Sequence, residues 1–175
     1  VPVSSLIELQ NGAKPVAMLT GQPEQHYLLS GSGGYGFITK LADMVGRVKA
    51  GKVVMTVDSG ETVLPPIAVY ASSLINPDCK IVLASSDHRL LAFSIGELKV
   101  MSKGRGLQLM SLTDGASLEH VLVTTSEEFI VETVGKRGAA HQEKLRICDI
   151  DGKRGKKGKV LDVSGRLKTL SAASA

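Results

Sequence analysis

The 175-residue sequence contains no tryptophan, and its only aromatic residues are three phenylalanines and three tyrosines. The lack of Trp excludes the signature dipeptide of WD-type propeller blades. Any core must be filled mainly by Val, Ile, Leu and Ala, and the 43% apolar content is ample for that. Two cysteines, Cys79 and Cys148, are too few for a disulfide framework and stand in no metal-ligand spacing, so a reducing cytoplasm is the simplest expectation. The four histidines form no H-x-x-x-H pair and there is no C-x-x-C, so no metal is expected. No run of about 18 apolar residues occurs, so no membrane span is expected. Residues 1–10 lack the basic start and long apolar stretch of a secretory leader. The chain opens on Val rather than Met, which reads as a fragment or a processed product.

What the sequence does have is a segment that recurs. Residues 103–115 form a basic, glycine-bearing loop, then an alternating apolar stretch, then a closing glycine. Residues 49–60 and 156–165 repeat it, and residues 5–12 repeat it without the basic loop. The closing glycines are Gly12, Gly60, Gly115 and Gly165, a period near 50 residues that suits propeller blades and related arrays. One domain over 1–175 is expected, with repeats at about 12–60, 60–115 and 115–165 and a frayed tail at 166–175.

Four short strands are expected per repeat. In the first they are 16–20, 27–30, 35–39 and 53–57, with one helical turn at 41–45. In the second they are 67–70, 80–84, 90–93 and 107–112, with a loop at 72–78. In the third, strands are expected at 120–124, 129–133 and 139–142, the last weak by β propensity. An orphan strand carrying Leu6, Ile7 and Leu9 opens the chain and points to a further repeat upstream. The fold class is therefore all-β: about three blades plus one orphan strand, in a radial or curved array.

Two motifs suggest chemistry and are better read as turns. Residues 31–36 match G-x-G-x-x-G, whose backbone amides can cradle phosphate. A dinucleotide site needs a helix after the glycines, and here a strand is expected. A kinase needs H-R-D and D-F-G downstream, and neither occurs. Ser86-Asp87-His88 has the composition of a catalytic triad, but adjacent residues in a tight turn cannot stack as one. The equivalent turn in the third repeat is Gly135-Lys136-Arg137-Gly138, so a hairpin is the common reading.

The basic residues are distributed unevenly. Residues 135–159 hold Lys136, Arg137, Lys144, Arg146, Lys153, Arg154, Lys156, Lys157 and Lys159 against Glu143, Asp149 and Asp151, while residues 1–134 are acidic on balance. Such a concentration suits a polyanion, or else a solubilising face. Position favours the polyanion. Arg47, Lys49 and Lys52, then Lys103 and Arg105, then Lys153, Arg154, Lys156, Lys157 and Lys159 each precede or open a fourth strand. Repeats related by rotation would set these clusters along one rim, a curved track for the phosphates of a bent duplex. Lys136 and Arg137 in the third hairpin turn complete the candidate DNA contacts. The alternative is a propeller-type protein-interaction scaffold whose basic loops face an acidic partner.

Several of these residues carry a resemblance. Gly34-Tyr35-Gly36-Phe37, then Arg47, Ala50-Gly51-Lys52 and Leu64-Pro65-Pro66, resemble the C-terminal domains of bacterial DNA topoisomerase IV A subunits. Ser102-Lys103-Gly104-Arg105-Gly106, Val134-Gly135-Lys136-Arg137 and Gly155-Lys156-Lys157-Gly158 fit the same family, in order along nearly the whole chain. The resemblance implies a β-pinwheel of Greek-key blades with DNA on its outer rim, this chain being the C-terminal portion. It implies no catalytic residue, metal or cofactor in this chain. For the whole protein it implies an ATP-dependent type II topoisomerase. Its partners would be an ATPase B subunit, together with a second copy of the A subunit, and it would act at the nucleoid in the cytoplasm. No counterpart of the glutamine-, arginine- and glycine-rich box of gyrase A domains is present.

Overall fold

The computed structural model describes residues 13–48, 50–135, 137–162 and 165–173; the expected orphan strand lies outside them. In chain order the elements are β1 His26–Ser30, β2 Tyr35–Lys40, α1 Leu41–Met44, β3 Ile67–Val69, α2 Ala71–Leu74, β4 Lys80–Ser85, β5 Arg89–Ser94, β6 Leu107–Gln108, β7 Leu118–Thr124, β8 Glu128–Val134, β9 Ala140–Arg146, β10 Lys159–Val160 and β11 Arg166–Ala172. Their named strand pairings are all antiparallel, in three sheets ordered β3-β1-β2-β6, β10-β5-β4-β7 and β11-β8-β9.

Each sheet is built on a hairpin: β1–β2, β4–β5 or β8–β9. The first two read as near-continuous apolar runs because both faces of their strands are buried. Period-two geometry then divides each run between two cores. In the middle sheet Ile81, Leu83, Leu91 and Phe93 face the first sheet, where Leu28, Ile38 and Val69 meet them. The intervening Val82, Ala84, Leu90 and Ala92 face the third sheet. These smaller side chains leave room for Phe129, Val131, Ile147, Ile150 and Leu167. Each blade contributes one phenylalanine to the core: Phe37, Phe93 and Phe129 are all fully buried. Burial of each contributes on the order of 2–3 kcal/mol.

The third strand of each sheet comes from the segment after its hairpin. In the first two sheets the fourth comes from further on still. β6 follows the second hairpin yet pairs with β2, Leu107 lying opposite Gly36. β10 follows the third hairpin yet pairs with β5, Lys159 lying opposite Leu90. Blade and sequence repeat are thus different sets of residues. On the way in, the crossing chains also run parallel to β2 and β5, at Val100 and Asp151, and cover the outer edges of those strands.

Some expected strands differ. Residues 16–20 are irregular and find no partner strand among the described residues. Residues 53–57 make a single bridge, Met55 to Gly104. Residues 107–112 pair for only two positions, because the chain then turns inward and buries Leu109 and Met110 between the blades. The loop at 72–78 begins inside the helical turn α2. The largest correction concerns the supposed tail: residues 166–172 are β11, hydrogen-bonded along β8. A register shift between Leu167 and Thr169 breaks the two-residue alternation, so the apolar pair Leu167 and Leu170 falls three apart and hides the strand. β9 has helix-favouring composition but is drawn into strand by seven pairings with β8. The β11 amides that face β8 are expected to resist hydrogen exchange, while the alternate ones at this sheet edge exchange faster; exchange within seconds at every position of 167–171 would contradict this placement.

Candidate nucleic-acid interface

The three basic loops are joined backbone to backbone. The amide of Gly104 donates to the carbonyl of Val54 at 2.9 Å, and that of Thr56 to the carbonyl of Gly104 at 3.0 Å. The next crossing is tied in the same way. The amide of Gly155 donates to Leu109 O at 2.8 Å, that of Ser111 to Lys156 O at 3.0 Å, and the Arg154 Nη1 to Gln108 O at 2.7 Å. The segments carrying Arg47 and Lys52, Lys103 and Arg105, and residues 153–159 therefore follow one another in a row.

The candidate cations within this row are not equivalent. Arg47, Lys103, Lys153, Lys156 and Lys157 are exposed, and among the described residues no carboxylate pairs with them. Lys52 and Lys159 are exposed too, but each caps a main-chain carbonyl at 2.5 Å, that of Asp43 and that of Asp149. Their charge remains at the surface while their position is fixed. Arg154 is half-buried; its backbone amide donates to Glu97 Oε2 at 3.0 Å and its side chain holds the neighbouring crossing. It acts as a staple between loops. Arg137 is exposed in the β8–β9 turn, while Lys49 and Lys136 lie outside the described residues.

Arg105 is the most constrained. Its guanidinium lies 4.0 Å over the Tyr35 ring, and its Nη2 reaches Asp58 Oδ2 at 2.7 Å and Glu61 Oε1 at 3.3 Å. Glu61 in turn accepts the Asp58 amide at 3.0 Å. Nothing in the sequence singles these partners out: Tyr35 reads as sheet packing, and the two acids only dilute the charge.

The two turn motifs have structural roles. A Cβ built on Gly33 would lie 1.8 Å from Glu61 Oε1, so Gly33 makes room for that carboxylate. Ser86 Oγ accepts the Ser117 amide at 3.0 Å, as Ser32 Oγ accepts the Thr62 amide at 2.9 Å. His88 holds the left-handed turn position, φ 60°. Asp87 is bonded by Ser85, by Thr113 Oγ1 at 2.5 Å and by Arg89 Nε at 3.2 Å. Partial burial alone would raise the Asp87 carboxyl, but hydrogen bonds from Ser85, Thr113 and its own amide, with the Arg89 charge, outweigh it and hold the group below the usual carboxylate range.

A folded-state value below the unfolded one contributes stability at neutral pH, which is lost as pH falls from the unfolded value of about 4 through the folded one. Asp87→Asn is therefore expected to cost about 1 kcal/mol at pH 7, with the difference from the native chain shrinking below about pH 4. Urea unfolding across pH measures it, and a difference independent of pH would contradict the assignment.

A cleft of about 510 Å³ is lined by Ser32, Thr62, Ser117, His120, Arg166 and Lys168 among others. Burial pushes His120 below the ordinary imidazole value, against opposing pulls from Glu119 and the Leu167 backbone. Among the described residues no cluster of three metal-ligating side chains occurs, and no helix is long and apolar enough to cross a membrane. Cys79 is buried, Cys148 exposed, and both are free.

No protein-family profile matches the chain. It is 69% identical to the DNA topoisomerase 4 A subunit of Neisseria gonorrhoeae over 98% of its own length and 22% of that protein's. It is 27% identical to the Escherichia coli K12 protein of the same name over 91% of its length and 21% of the other's. Among solved structures, the E. coli ParC C-terminal domain superposes with TM-score 0.84 at 24% identity, over 97% of this chain and 69% of that one. A DNA gyrase A C-terminal domain gives TM-score 0.70 at 20% identity, over 98% of this chain and 58% of that one. The chain spans about a fifth of the length of the curated relatives it matches. With three antiparallel blades in the β-pinwheel arrangement and this identity along nearly all its residues, the chain belongs to the family of DNA topoisomerase 4 A subunits and has the fold of the C-terminal domain.

Proposed function

We propose that this chain is a non-catalytic module that binds bent duplex DNA along its basic row, and that it tunes a type II topoisomerase between relaxing supercoils and decatenating linked circles. The observation that carries the reading is the backbone ladder joining residues 54–56, 104, 109–111 and 155–156. It turns three separate basic loops into a continuous surface at which Lys103, Lys153, Lys156 and Lys157 have no competing carboxylate partner among the described residues. Lysine heads on such a row act as point charges to phosphate, without base readout. In the whole protein the partners are an ATPase B subunit, together with a second copy of the A subunit, and the place of action is the nucleoid.

Fluorescence anisotropy of duplex DNA across a salt series, with heparin as competitor, tests this. Binding without sequence preference is expected, with log K falling against log salt at a slope of about −4 to −5 for some five phosphate contacts. Absence of salt-dependent binding at low salt would overturn the reading. A second reading, a scaffold for a protein partner, is favoured by the exposed side chains of Met18, Val45, Val48 and Val53 beside the first blade. It predicts capture of a protein at that face and no steep salt slope with DNA.

A further inference from the structure

We infer that Asp58 and Glu61 are internal competitors for a phosphate site at Arg105, so that this stretch of the row engages DNA only when the duplex displaces them; the inference rests on the duplex-binding reading above. Gly106 and Gly158 mark equivalent points of the two crossings, each at positive φ and each pressed on a carbonyl of the hairpin it joins. The residues before them, Arg105 and Lys157, are therefore counterparts. Lys157 is exposed, with no carboxylate partner among the described residues. Arg105 has two.

The difference lies in the turn that follows the first hairpin's partner loop. The amide of Glu61 donates to Asp58 O, as the amide of Ala116 donates to Thr113 O in the next blade, both at 3.0 Å. Asp58 thus corresponds to Thr113 and Glu61 to Ala116, and the second junction lacks both acids. In the first, two carboxylate oxygens meet one planar guanidinium that is already held flat on Tyr35. Both oxygens sit on Nη2, the donor that a duplex phosphate oxygen would otherwise take. Glu61 is set by its seat on Gly33 and its bond to the Asp58 amide. Asp58 is 60% exposed, and an ion pair so open to water is weak and sensitive to salt, which leaves it displaceable. The row is then graded: open at Lys153, Lys156 and Lys157, closed at Arg105.

The test compares salt slopes for duplex binding by the native chain, D58N/E61Q, R105Q and D58N/E61Q/R105Q, each checked for native unfolding. D58N/E61Q is expected to steepen the slope by about 0.9, one added phosphate contact, and to tighten binding about 8-fold at 0.1 M salt. In the R105Q background the same two changes are expected to do nothing. A gain that persists without Arg105 would show a general charge effect and overturn the inference. So would an unchanged slope in D58N/E61Q while Lys156→Ala with Lys157→Ala flattens it, which leaves DNA binding standing. Loss of all salt-dependent binding in the native chain would overturn the duplex-binding reading instead. If the double variant does not fold, Asp58→Asn alone at its exposed site replaces it, with a smaller gain in the same direction that again requires Arg105.

Discussion

Replacing Lys156 and Lys157 together with alanine is expected to flatten the salt dependence of duplex binding by about 1.8 in slope, which corresponds to roughly 60-fold weaker binding at 0.1 M salt. Both side chains are exposed and neither is paired with a carboxylate among the described residues, so neither holds the fold together through its charge. The main-chain carbonyl of Lys156 does have a structural task, accepting the Ser111 amide, and alanine keeps it. The unfolding temperature should therefore hardly move while the affinity falls. Counterion release makes the slope the more informative readout, because it counts phosphate contacts and a local distortion would not reproduce it. A slope unchanged within error would remove these two lysines from the contact set.

The largest effect on stability is expected at Gly106. Its φ is +88°, and an added Cβ would lie 2.3 Å from the Gly36 carbonyl oxygen and 2.9 Å from the Phe37 ring. Neither neighbour can retreat, since Gly36 is paired on both sides within the sheet and Phe37 is fully buried. Gly106→Ala should cost on the order of 3 kcal/mol or more, a fall in melting temperature of about 6–12 °C for a chain of this size. Gly51 supplies the control. Its φ is +76° and nothing lies within 4 Å of the same added atom. Gly51→Ala should therefore cost only the left-handed backbone penalty, about 1 kcal/mol. Equal losses at the two sites would mean that backbone conformation, and not close packing of the crossing on β2, sets the requirement for glycine.

The hairpins are legible in the sequence because burial on both faces gives unbroken apolar runs, and because Gly and Ser punctuate them. The destination of the crossing chains is not legible. Leu107 finds its partner Gly36 some 70 residues back, past a complete hairpin, and nothing local to either segment records the pairing. Residues 107–112 look like one strand since their alternation continues, although only the first two add to a sheet and the next turn into the core. β11 is hidden by one irregularity of register in a Ser- and Ala-rich segment. The basic loops are legible as recurring positions. Which of their cations are free is not, because pairing is settled at long range: Arg105 meets Glu61 across 44 residues, and Arg154 meets Gln108 across 46. A charge count sees Asp58 and Glu61 only as dilution, whereas their geometry places them on one particular arginine.

The donation of β6 and β10 to the preceding hairpins bears on how the protein is made. During synthesis the first sheet cannot close until residue 108 has left the ribosome, after the whole second hairpin, and the second sheet waits for residue 160. Each blade is held incomplete while the next is being laid down, with its outer edge open, as in a chain stitch where every loop is locked by the one that follows. Nascent chains halted between residues 95 and 106 would carry the first two hairpins and no closed sheet. Late-emerging residues thus secure early ones, and a lesion near residue 158 would loosen β5, a strand translated some 65 residues earlier.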